Sequence, residues 1–142
     1  MNFDKPPIVL DTNILISAAI LPASASARAL LLALRNFQLV LSEATWDELR
    51  DVVARKKFNR YLTDEARNEF LGLIIRSSRF IESRTVVTDC VDPKDDKFLS
   101  LAIDAGAALI VSGDAHLRVL HPYRGISIHT ASEFLETRSA NA

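Results

Sequence analysis

Acidic side chains recur along this 142-residue chain at points where an apolar run ends or a helix begins. Asp11 follows a first apolar run, and Asp114 follows a second one through a Ser-Gly turn. Between them lie Glu48 and the acidic stretch 92–96. Because the carboxyl ends of strands in a parallel sheet converge on one crevice, these acids are expected to meet there. Carboxylates brought together repel one another and suit a hard cation such as Mg²⁺ or Mn²⁺. The pattern therefore predicts metal-assisted chemistry on phosphate.

Most of these acids also have a structural explanation that the residues leave open. Asp11 and Asp114 are suited to cap a helix or close a turn. Glu48 lies at the edge of the apolar arc of its helix, where it can reach a cleft or be a solvated side chain near Arg50 or Arg55. Asp92 with Asp95 three residues later resembles a capping box. Asp96 has no such explanation, but spacing alone does not decide between it and Asp95.

Apolar segments of strand length alternate with helical patterns along the whole chain. This order is typical of a three-layer α/β/α sandwich with a central, mostly parallel sheet. The predicted strands are residues 8–10, Gln38–Leu41, 79–81, 108–111 and 126–129. One domain is predicted over residues 1–142, with an ordered core at about 6–137 and frayed residues at 138–142.

Residues with short polar side chains predict where the helices begin. The predicted caps are Asp11, Ser24 or Ser26, Ser42, Thr63, Asp92 and Thr130. The helix after Ser42 is predicted to run through residue 55. The helix that opens at Asp92, with Pro93 at its first position, is predicted to end at Gly106.

Bulk composition excludes several classes of protein. The chain is 49% apolar and 25% charged, with a formal net charge of −1, which argues against nucleic-acid binding through bulk charge. It does not exclude a nucleic-acid enzyme, because a bound cation restores local positive charge. The single cysteine, Cys90, has no partner for an internal disulfide or a thiolate metal site. The start of the chain lacks a signal-peptide pattern and the apolar stretches are short, so a cytoplasmic location is predicted.

Four motifs cover most of the chain in a fixed order. They are VLDTN at 9–13, the segment from 41 through Glu48 to RKKF at 55–58, DPKDDKFL at 92–99 and IVSGD at 110–114. In this order they resemble the motifs of the PIN-domain ribonucleases, particularly the bacterial group of toxins from toxin–antitoxin systems. The resemblance implies a PIN-like fold and a catalytically competent member, because no acid is missing.

The resemblance also implies which residues form the site. The catalytic and metal-binding acids that match the family pattern are Asp11, Glu48, Asp96 and Asp114. Asp96 is the best match to the third acid by its distance to Asp114, and Asp95 is the second choice. Asn13 and Ser112 fall where the family has supporting polar residues.

The activity implied is that of a Mg²⁺- or Mn²⁺-dependent endoribonuclease that leaves a 5′-phosphate and a 3′-hydroxyl, with one or two ions. RNA is the implied substrate, and an antitoxin protein is the implied partner. Positive charge and aromatic rings in one segment are suited to phosphates and stacked bases, although a charged helix end has the same composition. The residues predicted to contact RNA are Arg55, Lys56, Lys57 and Arg60.

Two other functions remain open. A catalytically silent PIN-fold binding module would keep the fold, but it has no reason to keep four like charges together. An aspartyl-phosphate phosphatase would use Asp11 as the nucleophile, but its motif needs a second Asp two residues later, where this chain has Asn13. The apolar segments 30–34 and 71–75 fit either a homodimer face or the core.

Overall fold

A five-stranded sheet forms the centre of the fold. The computed structural model describes residues 5–140. Its strands are β1 (Pro7–Leu10), β2 (Gln38–Leu41), β3 (Ser78–Phe80), β4 (Leu109–Val111) and β5 (Ser127–His129). They lie in the order β3-β2-β1-β4-β5, and every pair of neighbours is parallel. Each strand lies within one residue of its predicted position.

Seven α-helices connect and extend the strands in the part of the chain from residue 5 to residue 140. They are α1 (Thr12–Ile20), α2 (Ala25–Asn36), α3 (Glu43–Val53), α4 (Asp64–Ser77), α5 (Asp96–Ala105), α6 (Ala115–Arg118) and α7 (Ala131–Ala140). The side chains of Asp11, Ser24, Ser42 and Thr63 each accept a hydrogen bond from a backbone N–H in the first turn of their helix, as predicted. Gly106 ends α5 with a φ of 68°, a backbone conformation that favours glycine.

Two predicted helix boundaries need correction. The helix after Ser42 ends at Val53 and is followed by a 3-10 turn, Lys56–Phe58. The helix predicted from Asp92 begins as a separate 3-10 turn, Pro93–Asp95, before α5. Helix α7 continues to Ala140, and residues 141–142 lie outside the described residues, so the fraying predicted for 138–142 stays a prediction. The short α6 was not predicted, because one turn carries no apolar period.

Alternate strand residues belong to two different cores, which confirms the three-layer architecture. Ile8 and Leu10 pack with residues of α1, α2, α3, α4 and α7 on one face of the sheet. Val9 and Ile110 pack with residues of α5 and α6 on the other face. Successive side chains of a strand point to opposite faces, so an apolar run such as residues 8–10 supplies both cores at once.

The strand order places a crevice beside β1. Strands β2 and β3 lie on one side of β1, and β4 and β5 lie on the other, so the order reverses at the β1–β4 pair. Ligand sites of open α/β sheets lie outside the carboxyl ends of the strands at such a point. The register pairs Leu10 with Val111, and the Asp11 N–H donates to the Val111 carbonyl at 3.1 Å. The residues that directly follow β1 and β4 are therefore side by side.

Hydrogen bonds fix both ends of α3 relative to this crevice. At its start, the Ser42 N–H donates to Thr45 Oγ1 at 2.9 Å and the Thr45 N–H donates to Ser42 Oγ at 3.3 Å, a reciprocal cap. At its end, the buried guanidinium of Arg67 on α4 donates to the carbonyls of Val53 at 2.8 Å and Arg55 at 3.1 Å. The segment that follows α3 is thus held by side-chain contacts from a neighbouring helix.

The apolar segments considered for a dimer face contribute to the core and to the surface. In α2, Leu30 is buried and Leu31 is exposed, and in α4, Ile74 is buried while Leu73 and Ile75 are partly exposed. The homodimer therefore stays a prediction. Within residues 5–140 no single helix is long and apolar enough to cross a membrane, although α1 and α2, bent by 108°, meet the length and composition requirement as a pair.

Candidate active site

A pocket of about 160 Å³ opens at the carboxyl edge of the sheet. The acids that line it are Asp11, Glu48, Asp95 and Asp114. Asp11 directly follows β1, and Asp114 lies in the turn after β4. Glu48 lies on α3, and Asp95 ends the 3-10 turn before α5. Three of the four acids predicted from the sequence are therefore brought together, and the remaining place is taken by Asp95 instead of Asp96.

Asp11 is the most deeply buried of these acids, with 3% of its surface exposed. Its Oδ1 accepts the Ile14 N–H at 2.9 Å, so it caps α1. Its Oδ2 accepts a hydrogen bond from the hydroxyl of Ser112, which is fully buried. The same hydroxyl accepts the Asp114 N–H at 3.0 Å. Asp11 is thus both a helix cap and a pocket acid, and Ser112 connects it to the turn that carries Asp114.

Two of the pocket acids have strongly perturbed pKa values. Burial raises the pKa of Asp11 from 3.8 to about 6, against the effect of its two hydrogen bonds, and the charges of Asp114 and Asp95 raise it further. Burial also raises the pKa of Asp95 to about 6, with additional contributions from the charges of Asp114, Asp92 and Glu48. The carboxylates therefore destabilise one another when all are ionised, and a cation among them would relieve that repulsion.

Asp95 and Asp96 point to different places, although they are adjacent in the chain. Asp95 lines the pocket, whereas Asp96 Oδ1 accepts the Cys90 N–H at 2.8 Å. Consecutive residues in a helical turn differ by roughly 100° in direction, which is consistent with the two side chains pointing to different places. Cys90 is a buried free thiol, as expected for a core residue.

The predicted capping box is only partly formed, because Asp92 accepts the Lys94 N–H while Asp95 makes no capping hydrogen bond.

The carboxylate of Asp95 has an oxygen that its surroundings do not satisfy. Its Oδ2 is buried and accepts no hydrogen bond from any residue in the described part of the chain. Ligand atoms of Asp92, Asp95 and His116 lie within 4.8 Å of one another. Carboxylate and imidazole groups are common ligands of divalent cations, so these donors fit such an ion.

Glu48 is held by two side chains that were not predicted as site residues. Its Oε2 accepts the Thr12 hydroxyl at 2.6 Å, and its Oε1 lies 3.1 Å from Lys97 Nζ. Thr12 directly follows Asp11 in the first motif, and this adjacency is the sequence feature from which its place at the site could have been inferred. The contact with Lys97 joins α3 to α5, and no local pattern indicates it.

The remaining predicted residues divide into those on the pocket and those away from it. Asn13 is exposed and lines the pocket. Arg55 and Lys57 also line it, together with the ring of Phe58. Lys56 and Arg60 are exposed side chains of the same segment that do not line the pocket.

Comparison with known proteins identifies the family. The profile of the PIN domain matches residues 7–116, a span that includes every acid of the pocket. The chain belongs to the PIN-domain family. This confirms the resemblance found in the sequence, and PIN domains are generally nucleases.

Solved structures that share this fold include two with good coverage of the chain. One is VapBC2 from Rickettsia felis bound to a DNA fragment from their promoter, with 15% identity and a TM-score of 0.59, covering 87% of this chain and 98% of that chain. The other is PAE2754 from Pyrobaculum aerophilum, with 14% identity and a TM-score of 0.59, covering 95% of this chain and 90% of that chain. At these identities the similarity concerns the fold alone. A comparison with curated protein sequences gives no significant match.

The raised pKa of Asp11 predicts a pH-dependent cost to stability. Between pH 3.8 and about 6 the folded state binds a proton that the unfolded state has released, so the wild type loses stability as pH rises through that window. Asn at this position keeps the oxygen that accepts the Ile14 N–H, and its amide N–H can donate to Ser112 Oγ in the reverse direction, without the charge. The stability of Asp11→Asn relative to wild type should therefore increase by about 1–3 kcal/mol between pH 4 and pH 7.

Urea unfolding at several pH values, in the presence of EDTA, measures this difference. Glu69→Gln on α4 serves as the control, because Glu69 is exposed and does not line the pocket. Its stability relative to wild type should change little over the same range. A pH-independent difference for Asp11→Asn would contradict the burial argument.

Proposed function

We propose that this PIN-domain protein is a metal-dependent endoribonuclease that hydrolyses phosphodiester bonds in RNA. The observation that carries this proposal is the pocket lined by four carboxylates, one of which has a buried and unsatisfied oxygen. Burying such an oxygen lowers the stability of the folded protein unless a ligand binds to it. The family relationship supports the same reaction class.

The acids proposed to hold Mg²⁺ or Mn²⁺ are Asp11, Glu48, Asp95 and Asp114. Asp95 is preferred to Asp96 as the third acid because Asp96 already accepts a backbone hydrogen bond outside the pocket. When bound, the cation would supply Lewis acidity, which lowers the pKa of water and neutralises charge on phosphate. Ser112 would keep the Asp11 carboxylate in a fixed orientation, and Thr12 would do the same for Glu48.

Arg55 and Lys57 are proposed to contact the RNA backbone. Both line the acid pocket, so their charges lie beside the place where a phosphate would bind. Phe58 on the same wall offers a ring for base stacking. Positive charge next to the acids would also offset the repulsion between the pocket and a polyanionic substrate.

The two alternative functions are less well supported. In a silent binding module, the unsatisfied Asp95 oxygen would lower stability without benefit. In an aspartyl-phosphate phosphatase, Asp11 would need an accessible oxygen for nucleophilic attack, but both of its oxygens accept hydrogen bonds and the residue is buried.

We further propose that the protein is the toxin of a toxin–antitoxin pair and acts in the cytoplasm. The motifs resemble that bacterial group, and VapBC2, whose structure shares the fold, was solved bound to DNA from its promoter. A partner protein would silence the enzyme by covering the acidic pocket, for which a basic side chain is chemically suited.

An RNA-cleavage assay tests the proposed activity and distinguishes the roles of Asp95 and Asp96. Purified protein is incubated with mixed RNA and Mg²⁺ or Mn²⁺, and the cleavage rate is measured. We expect EDTA to abolish cleavage, and Asp11→Asn or Asp95→Asn to lower the rate by roughly 100-fold or more. Asp96→Asn keeps the oxygen that accepts the Cys90 N–H, so its rate should stay within about tenfold of wild type.

If Asp96→Asn is the inactive variant and Asp95→Asn is active, the third acid is Asp96. If no variant differs from wild type, the cleavage comes from a contaminant or the site is wrong.

Residues 55–60 offer a matched comparison between basic side chains that line the pocket and basic side chains that do not. Arg55→Gln and Lys57→Gln should raise KM for RNA several-fold and weaken its dependence on salt, because each removes a phosphate contact. Lys56→Gln and Arg60→Gln remove the same charge from side chains that do not line the pocket, and should change KM less than about twofold. Equal effects of all four changes would indicate attraction by bulk charge only.

The toxin proposal predicts a phenotype that depends on the acids. Induced expression of the wild type should arrest bacterial growth, and Asp95→Asn should relieve the arrest because it removes the proposed metal ligand. Colony counts after induction measure the effect, with immunoblots to show equal protein levels. Growth arrest by Asp95→Asn at wild-type strength would contradict a nuclease toxin.

A further inference from the structure

Lys97 has an electrostatic environment that its helix does not explain. It is the second residue of α5, where the helix dipole disfavours a cation. Its Nζ nevertheless lies 3.1 Å from Glu48 Oε1, and both side chains are about three-quarters buried, with 23% and 27% exposed. Glu48, rather than the helix, therefore stabilises this ammonium group.

The two oxygens of Glu48 are both occupied by groups of the protein. Oε2 accepts the Thr12 hydroxyl at 2.6 Å, and Oε1 pairs with Lys97. The situation of Asp95 is different, because its Oδ2 accepts no hydrogen bond within the described residues. A cation entering the pocket finds a ready ligand in Asp95, but at Glu48 it must displace or share the ammonium of Lys97.

We propose that Lys97 is a positioning residue that occupies the Glu48 carboxylate until a divalent cation binds, and so sets the affinity of the site for that cation. This inference rests on the proposed function. Two cations drawn to one carboxylate oxygen compete, so the pair with Lys97 lowers the apparent affinity for the metal. In the metal-free protein the ammonium also reduces the repulsion among the pocket acids.

Removal of Lys97 is therefore expected to strengthen metal binding, whereas a merely structural role would lead to weaker binding. The measurement is Mn²⁺ titration of the metal-free protein without RNA, with the free Mn²⁺ followed by electron paramagnetic resonance. Lys97→Gln should bind Mn²⁺ roughly three- to tenfold more tightly than wild type, the size expected for loss of a partly buried ion pair. Lys97→Arg keeps the charge and should bind like wild type.

Two further variants make the result specific. Lys97→Met keeps the aliphatic chain beside the ring of Phe98, which lies 5.7 Å from Nζ, and should reproduce the tighter binding if packing is maintained. Lys94→Gln removes an exposed charge at the start of the same segment and should change the affinity less than about twofold. Thermal unfolding in EDTA verifies that each variant is folded.

The outcomes distinguish this inference from the proposed function. If wild-type protein binds Mn²⁺ no more tightly than Asp95→Asn does, the metal site is overturned, and this inference with it. Binding by the wild type with equal or weaker binding by Lys97→Gln and Lys97→Met would overturn the role of Lys97 alone. An equal gain in Lys94→Gln would also overturn it, because bulk charge would then explain the effect.

Discussion

The repulsion among carboxylates at the end of the β1–β4 pair is the constraint around which the rest of the site is arranged. The strand order reverses at this pair, so the residue after β1 and the turn after β4 must face the same crevice. Asp11 is buried there, and its charge is opposed by burial and by neighbouring acids. The hydrogen bond from Ser112 holds Asp11 against the β4 turn in spite of this cost. Burial of the Asp11 charge thus lowers the stability of the fold, a cost that a solvent-exposed helix cap would not carry.

The four pocket acids are supported in different ways, and this difference gives each a distinct chemical character. Asp11 and Glu48 have both oxygens engaged by the protein, so their orientation is fixed before any ligand arrives. Asp95 has an oxygen that is buried and unsatisfied. Preorganised carboxylates together with one unsatisfied carboxylate oxygen favour cation capture, with Lys97 as the side chain that has to move or share its partner. The basic wall of Arg55 and Lys57 is separate from the acids and is positioned by Arg67 of a neighbouring helix through the Arg55 carbonyl.

Most of the fold could be predicted from the sequence, because its signals are local. The five strands are short apolar runs with polar ends, and the helix caps at Ser24, Ser42 and Thr63 are short-range hydrogen bonds between residues three apart. The same locality made Asp11 and Asp114 predictable, since the end of a strand defines where each must lie. The sequence did not predict the single-turn α6, because one turn is too short to show apolar periodicity. It also did not predict that the helix after Asp92 changes from 3-10 to α geometry before Asp96.

The sequence by itself determined the class of fold, the acids at the strand ends and the family, since all three depend on residue type and order along the chain. Only the tertiary structure decided which of Asp95 and Asp96 faces the pocket, because a rotation of one residue in a helical turn separates them. It also decided the contacts of Glu48 with Thr12 and Lys97 and the position of His116 near Asp95. Those contacts join residues from different elements, and their distances depend on how the helices pack around the sheet rather than on any spacing in the chain.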